Sequence, residues 1–150
     1  MATNYPVRLE VTLTPRINKT PPEVIVSVPG HNTHETLWKT KRIDMEFIGS
    51  AGFLNIKFIN KNYNESTDTK DMAVIVDKIE FFGIGDPRFV WAGVYTPEYP
   101  EPWLSQQTPQ PSPTLTNHNY LGWNGTWRLE FGVPVFSWMH QTLAMGWTYN

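Results

Sequence analysis

Residues 68–83, which read DTKDMAVIVDKIEFFG, are the stretch that decides the fold. The stretch begins with polar and acidic residues, continues into a dense run of β-forming residues and ends at a glycine. Val74 and Val76 alternate onto one face of a strand, whereas Ile79 and Phe81 continue the alternation one residue out of phase. A strand with a strict period of two cannot bury all four of these side chains on one side.

Two arrangements would accommodate this change of phase. A β-bulge near Asp77 and Lys78 would restore the register, because two residues of one strand then oppose one residue of the partner strand. Alternatively, the strand is buried on both faces, which would also bury Ile75 and Phe82. Both arrangements predict a central strand, and the acidic loop before it is the best candidate ligand site in the first half of the chain.

Alternating apolar and polar residues predict further strands on both sides of this stretch. They cover residues 7–13, 23–28, 41–47, 53–59, 88–95 and 126–136. The small residues 49–52 predict a β-hairpin between the third and fourth of these strands. Residues 31–36 are interpreted as a polar loop, and Pro134, which cannot donate to a ladder, predicts a sheet edge.

These strands, joined by turn-rich loops, predict an all-β fold: a single antiparallel β-sandwich domain over residues 1–150. The 13 prolines, 10 glycines and 7 tryptophans fit such a fold better than a helical bundle. Ser137 as an N-cap and Gly146 as a C-terminal cap predict one short helix within residues 137–146.

The composition excludes several classes of function. The net charge of -2 gives no basic field that would attract nucleic acid or an anionic membrane. The absence of cysteine removes disulfides, thiol nucleophiles and cysteine-ligated zinc. We see no signal peptide and no apolar run of the roughly 18–20 residues that span a bilayer, so we expect a soluble protein.

Six prolines distinguish residues 96–116, which we expect to form an ordered, extended arm over the surface. Aromatic residues are interleaved with this arm and follow it. Their rings suit the apolar face of a pyranose, but they also suit a protein interface or simple packing. The candidates for interface or glycan-stacking residues are Tyr95, Tyr99, Trp103, Tyr120 and Trp123.

No catalytic constellation is evident, and we predict that the protein is not an enzyme. His31 and His34 would need another histidine to bind zinc, and nothing in the sequence brings one to them. Glu98 and Glu101 have the composition of a glycosidase carboxylate pair, but they lie among prolines and are interpreted as solvated charges. The serines lack a Gly-x-Ser-x-Gly elbow.

The first half of the chain, residues 7–83, resembles the calcium-dependent carbohydrate-binding modules, which are small jelly-roll sandwiches. The resemblance rests on LEVTL at 9–13, PEVIV at 22–26, LNIKFIN at 54–60, and the segment from Asp71 through Asp77-Lys78-Ile79 to Gly83. The signature of that family is a strand ending in Phe-x-Asn-Asp, an acidic loop, and a strand of the type Asp-Arg-Asn-Leu-x-Val-Asp-x-Ile. The resemblance implies a jelly-roll fold and glycan binding.

The resemblance also implies a calcium site, for which Glu65, Asp68 and Asp71 are the available carboxylates. The chain departs from the family pattern at two places. Asn60-Lys61 stands where the family has Asn-Asp, so a cation replaces one potential ligand, and Met72-Ala73 replaces Arg-Asn. Apart from this implied calcium ion, we predict no cofactor.

The second half resembles small proteins of tailed phages, especially marine ones, in the segment NYLGWNGTW at 119–127. That similarity implies a component of a virus particle. Our first hypothesis is therefore a non-catalytic virion structural protein, assembled in the host cytoplasm, that decorates a capsid or forms part of a tail or fibre. Its partners would be other virion subunits or further copies of itself. The alternative is a carbohydrate-binding module that recognises a glycan, with or without calcium.

Overall fold

The computed structural model describes residues 3–62 and 71–144. Most of the described residues belong to short β-strands joined by turns. The strands are β1 Tyr5–Arg16, β2 Glu23–Val28, β3 His31–Thr36, β4 Lys41–Gly49, β5 Ala51–Phe58, β6 Ala73–Phe81, β7 Ile84–Gly85, β8 Val94–Pro97, β9 Leu115–Thr116, β10 Tyr120–Leu121 and β11 Gly125–Gly132. The helices are α1 Pro87–Trp91, a 3-10 turn Leu104–Gln106 and α2 Val135–Gln141.

The strands form two antiparallel sheets. The first has the order β10-β6-β1-β4, with β7 also pairing with β6, and the second has the order β3-β2-β5-β11-β8-β9. Apolar side chains of both sheets, such as Leu9 and Val76 from the first and Leu54 and Trp127 from the second, belong to one buried core. Burial of these side chains is the main force that holds the two layers together. The predicted β-sandwich is confirmed.

A β-bulge restores the phase of the deciding strand, as the alternation predicts. Thr12 of β1 lies opposite Lys78, and the next residue, Leu13, lies opposite Val76, so Asp77 is the extra residue on β6. The four apolar residues of this strand that alternate out of phase are all buried. Asp77 is exposed and its carboxylate accepts a hydrogen bond from the Thr14 hydroxyl.

The predicted hairpin at residues 49–52 is wrong. β4 pairs with β1 in the first sheet, whereas β5 pairs with β2 and β11 in the second. The chain therefore crosses from one layer to the other at this turn. Alternation identifies the buried face of each strand, but strands of both layers bury the face that points to the common core, so the pattern does not distinguish pairing from crossing.

The predicted strand at residues 88–95 is wrong in its first part, which forms α1. Asp86 caps this helix by accepting a hydrogen bond from the backbone N–H of Arg88 at 2.9 Å. Pro87 stands in the first turn, where its fixed φ favours helix and its missing N–H costs nothing. Strand β8 begins only at Val94.

The predicted polar loop at residues 31–36 is strand β3. It pairs with β2 along its whole length and forms the end of the second sheet. Gly30, with φ +79, makes the tight turn that joins the two strands. Because β3 is an edge strand with no large apolar side chain, it lacks the hydrophobic alternation that identifies the other strands.

The C-terminal helix begins earlier than predicted. β11 ends at Gly132, Pro134 occupies the N-cap position of α2, and Ser137 lies inside the helix. Because β11 lies between β5 and β8, Pro134 does not mark an edge strand. The predicted cap Gly146 lies outside the described residues. In the part of the chain that is described, no helix is both long and apolar enough to cross a membrane.

Candidate functional site

A pocket of about 480 Å³ lies where the two sheets meet the proline-rich arm. β10 of the first sheet and β9 of the second both contribute to its wall, as do the end of β5, the start of β6 and the arm. The lining residues that matter for its chemistry are Lys61, Asp71, Trp103, His118, Tyr120 and Trp123. Asp71 and the aromatic residues, which the sequence nominates as parts of separate candidate sites, thus line one cavity.

The arm folds back onto its own sandwich and forms the aromatic side of the pocket. The ring centroids of Trp103 and Trp123 lie 4.8 Å apart, and Tyr99 packs against both rings at 5.6 Å. The Tyr99 hydroxyl donates a hydrogen bond to the carbonyl oxygen of Ser112 at 2.8 Å, which joins two distant parts of the arm. The aromatic rings of the arm therefore make their contacts within the chain.

Tyr95 does not contact the pocket, which removes it from the candidate set. Its side chain is completely buried in the core. Its hydroxyl donates to the carbonyl oxygen of Trp123 and accepts from the backbone N–H of the same residue at 3.1 Å. Its ring stacks on that of His118 with 5.5 Å between centroids. Tyr95 thus positions two residues of the pocket wall from behind.

Strand β10 brings Tyr120 next to the start of β6. Tyr120 pairs with Ile75, and Asn119 extends the ladder: its carbonyl oxygen accepts from the N–H of Val76 at 2.9 Å, and its side chain donates back to the carbonyl oxygen of Val76 at 3.2 Å. This pairing places the Tyr120 ring beside Asp71, which lies just before β6. The sequence offers no clear signal for so short a strand.

A hydrogen-bonded group of Lys61, Asp71 and Tyr120 forms the polar side of the pocket. The Lys61 ammonium donates to Asp71 Oδ1 at 2.7 Å and to the carbonyl oxygen of Met72 at 2.6 Å. The Tyr120 hydroxyl donates to Asp71 Oδ2. Burial, and then the hydrogen bond to the Asp71 carboxylate, raise the pKa of the Tyr120 hydroxyl, so this donor stays protonated at a pH where an exposed tyrosine would ionise.

Asn124 and Gly125 fasten the polar side to the arm. The Asn124 side chain accepts from the backbone N–H of Lys61 at 2.7 Å, and its carbonyl oxygen accepts from the N–H of Glu98 at 2.7 Å. A Cβ atom at position 125 would lie 2.4 Å from the carbonyl oxygen of Thr96. Glycine is therefore required for the close approach of the arm to β11.

Of the remaining candidates, only some belong to the described part of the chain. Glu65 and Asp68 lie outside the described residues. The Glu101 carboxylate accepts a hydrogen bond from Ser105, and His34 pairs with Glu23 at 3.0 Å. Within residues 3–62 and 71–144 there is no group of three or more histidine, aspartate or glutamate residues that could hold a metal ion.

Sequence reasoning did not identify Lys61, His118 or Pro100 as parts of the pocket. Lys61 is noted only as a departure from a family pattern, and His118 only as one of four histidines. His118 lies between β9 and β10, which have only two residues each. Periodicity does not detect strands this short, so it gives no signal for His118. The assembled arrangement suits an uncharged molecule with an apolar face toward the tryptophans and hydroxyl groups toward Asp71 and Tyr120.

Comparisons with known proteins identify the fold. No protein-family model matches the chain, and no curated protein matches it. Among solved structures, the selenomethionine form of vCBM60, from a study of circular permutation between two families of calcium-dependent carbohydrate binding modules, is similar with a TM-score of 0.50 and 19% identity. The match covers 85% of this chain and 90% of that one.

A second structure, vCBM60 in complex with galactobiose, gives a TM-score of 0.49 at 20% identity over 83% of this chain and 97% of that one. The similarity in sequence was expected to end near residue 83, but a match over 85% of the chain must extend into the second half. The predicted resemblance is confirmed at the level of the fold: this chain has the β-sandwich of a calcium-dependent carbohydrate-binding module.

Proposed function

We propose that the chain is a non-catalytic carbohydrate-binding module, a single domain that holds a glycan in the pocket between Trp103, Trp123 and Asp71. One observation carries the proposal. Two tryptophan rings on one side of a cavity of about 480 Å³ face a carboxylate and a phenol hydroxyl on another. Small-molecule sites have volumes of about 300–1,000 Å³ and combine apolar walls with a few polar groups in this way.

The chemistry of the pocket fits a sugar. An aromatic ring provides an apolar face of low conformational entropy on which the C–H groups of a pyranose can pack. The Asp71 carboxylate, of which 30% is exposed, can accept hydrogen bonds from sugar hydroxyls. The Lys61 ammonium neutralises this carboxylate, so the pair adds hydrogen-bonding groups without adding net charge, which favours a neutral glycan.

The fold supports the same proposal. The solved structure with the similar sandwich comes from a study of calcium-dependent carbohydrate binding modules. The sequence-based hypothesis of a virion structural protein stays a prediction, and no comparison with known proteins favours it. The arm on which that hypothesis depended makes its aromatic contacts within this chain.

A screen of the purified protein against a panel of neutral oligosaccharides tests the proposal, followed by calorimetry of those that bind. Trp103→Ala removes one ring of the wall while leaving the core intact. We expect it to weaken binding by about tenfold or more, because a loss of about 1.4 kcal/mol changes affinity tenfold and truncation of a central aromatic residue commonly exceeds 1 kcal/mol.

Trp38→Ala is the matched control. Trp38 is 70% exposed in the loop between β3 and β4 and does not line the pocket, so its removal should leave affinity unchanged. Binding that Trp103→Ala and Trp38→Ala reduce equally would contradict the proposed site. Absence of binding to every oligosaccharide of the panel would contradict the proposed function.

A further inference from the structure

We propose that the Lys61 ammonium is a built-in cation that takes the place of a divalent metal ion, so that this pocket binds its ligand without calcium. The inference rests on the proposed function for the identity of the ligand. Its metal part stands on the geometry of the chain alone. It concerns a departure from the family pattern, since the family has Asn-Asp where this chain has Asn60-Lys61.

The hydrogen bonds of the Asn60 side chain hold the backbone just after β5, next to Lys61, in place. The Asn60 side chain accepts a hydrogen bond from the N–H of Glu23 at 2.7 Å and donates to the carbonyl oxygen of Pro21 at 3.0 Å. The backbone N–H of Lys61 is in turn fixed by Asn124 at 2.7 Å. Hydrogen bonds of Asn60 and of the Lys61 N–H therefore fix the backbone that carries the Lys61 side chain.

The Lys61 side chain is enclosed by the protein, with only 3% of its surface exposed. Its ammonium lies 2.7 Å from Asp71 Oδ1 and 2.6 Å from the carbonyl oxygen of Met72. Carboxylate and backbone carbonyl oxygens are the ligands that calcium uses in proteins. The ammonium thus contacts a set of oxygens of the kind that would otherwise coordinate a metal ion.

The residues of the described pocket do not fit a calcium ion at Asp71. Calcium takes six to eight oxygen ligands at about 2.3–2.6 Å. Both oxygens of Asp71 already accept hydrogen bonds, Oδ1 from Lys61 and from the N–H of Met72 and Oδ2 from Tyr120. A dication that replaced these contacts would lie beside the enclosed ammonium, and the two like charges would repel one another.

The ammonium also gives Asp71 a role toward the ligand. Lys61 and Tyr120 hold the carboxylate in one orientation, and 30% of the Asp71 side chain is exposed, so a ligand hydroxyl can donate to it. If the Asp71 carboxylate coordinated a metal ion, the metal ion would contact the ligand hydroxyl in place of the carboxylate. Here the acceptor is the protein's own side chain, and its position does not depend on the calcium concentration.

Thermal melts of the protein in EDTA and in millimolar calcium chloride test the metal part without any glycan. Wild type should melt at the same temperature in both conditions, since a ligand that binds only the native state raises the melting temperature. The same pair of melts on Asp71→Asn identifies the site. A calcium-induced rise in wild type that Asp71→Asn abolishes would overturn the inference.

Calorimetry with the best oligosaccharide from the panel, in EDTA, tests the role of the ammonium in binding. Lys61→Met should weaken binding by about tenfold or more, whereas Lys57→Met, which removes an exposed charge from β5, should not. Glycan binding that requires calcium would overturn the inference and leave the proposed function intact. If no glycan binds in either condition, the proposed function fails, and the melts alone decide the metal part.

Discussion

The pairing of Lys61 with Asp71 predicts an unequal cost for removing its two partners. Asp71→Asn keeps the shape of the side chain but removes the negative charge beside an ammonium that is 3% exposed. Two unit charges about 4 Å apart interact by about 4 kcal/mol at an effective dielectric constant of 20. Because 30% of the Asp71 side chain is exposed, water screens part of this energy, and we expect a loss of about 2–3 kcal/mol in the free energy of unfolding.

Lys61→Met removes the charge on the enclosed side. The Asp71 carboxylate that remains can be hydrated from the pocket, and the methionine stem fills the same space, so we expect a loss of only about 1–2 kcal/mol. The double variant Lys61→Met/Asp71→Asn leaves no enclosed unpaired charge. It should therefore be more stable than Asp71→Asn alone, which requires a coupling energy larger than the loss for Lys61→Met, about 2–3 kcal/mol in the double-mutant cycle.

Urea unfolding of the four proteins measures this prediction. With a slope of about 2 kcal/mol/M for a domain of this size, Asp71→Asn should lower the midpoint by about 1–1.5 M. The slope should stay constant, so that the midpoints report stability. Additive losses in the double variant, or a larger loss for Lys61→Met than for Asp71→Asn, would refute the reasoning that the ammonium is the enclosed member of the pair.

Three further predictions concern single residues. The pKa of Tyr120 is raised above its ordinary value of 10.0. The contribution of its protonated hydroxyl to stability is therefore present below about pH 10 and is lost as the pH rises toward and through the folded-state pKa. In melts between about pH 9 and pH 11, wild type should lose more stability than Tyr120→Phe. Gly93→Ala would place a Cβ atom 2.0 Å from Cζ2 of the buried Trp127. We expect a loss of about 1–3 kcal/mol in the free energy of unfolding, measured in urea. An unchanged midpoint would show that this contact is relaxed in solution. Asp86→Ala removes the cap of α1 and should cost about 1 kcal/mol at neutral pH. Because hydrogen bonds from Arg88 lower the pKa of Asp86, that difference should vanish as the pH falls through the folded-state pKa, below 3.8, and a difference that persists in acid melts would contradict it.

The sequence was sufficient to predict the layers of the fold but not their connections. The change of phase between Val76 and Ile79 reports a bulge directly, because each side chain must choose one of two faces. The crossing between β4 and β5 has no such signature, since both strands bury a face toward the same core. α1 was missed because five residues are too few to show a period of 3.6, although Asp86 and Pro87 are typical of a helix start.

The site was predictable in parts and not as a whole. Trp103, Trp123, Tyr120 and Asp71 were nominated for their own chemistry. Their convergence depends on the pairing of β10 with β6 and of β9 with β8, which involves strands of two residues. Such short strands follow from tertiary packing rather than from local pattern, so periodicity alone cannot predict that the arm and Asp71 line the same pocket.

Lys61 shows how a sequence pattern can miss the contact between two residues. In the sequence it is a positive charge that opposes a metal site near Asp71. In the structure it is the partner of that carboxylate, because the chain just after β5 and the chain just before β6 bring the ammonium within 2.7 Å of Asp71 Oδ1. The charge of Lys61 disfavours a metal ion at Asp71 because the ammonium is already paired with that carboxylate. The sequence does not show this pairing, whereas the distance of 2.7 Å between Lys61 Nζ and Asp71 Oδ1 does.

An NMR titration with an oligosaccharide from the panel, followed through the indole N–H signals, shows whether the glycan binds beside Trp103 and Trp123. If the glycan binds in the pocket, the signals of Trp103 and Trp123 should shift together with increasing ligand, while those of the exposed Trp38 and Trp91 stay in place. Shifts confined to Trp38 or Trp91, with Trp103 and Trp123 unperturbed at saturation, would contradict it.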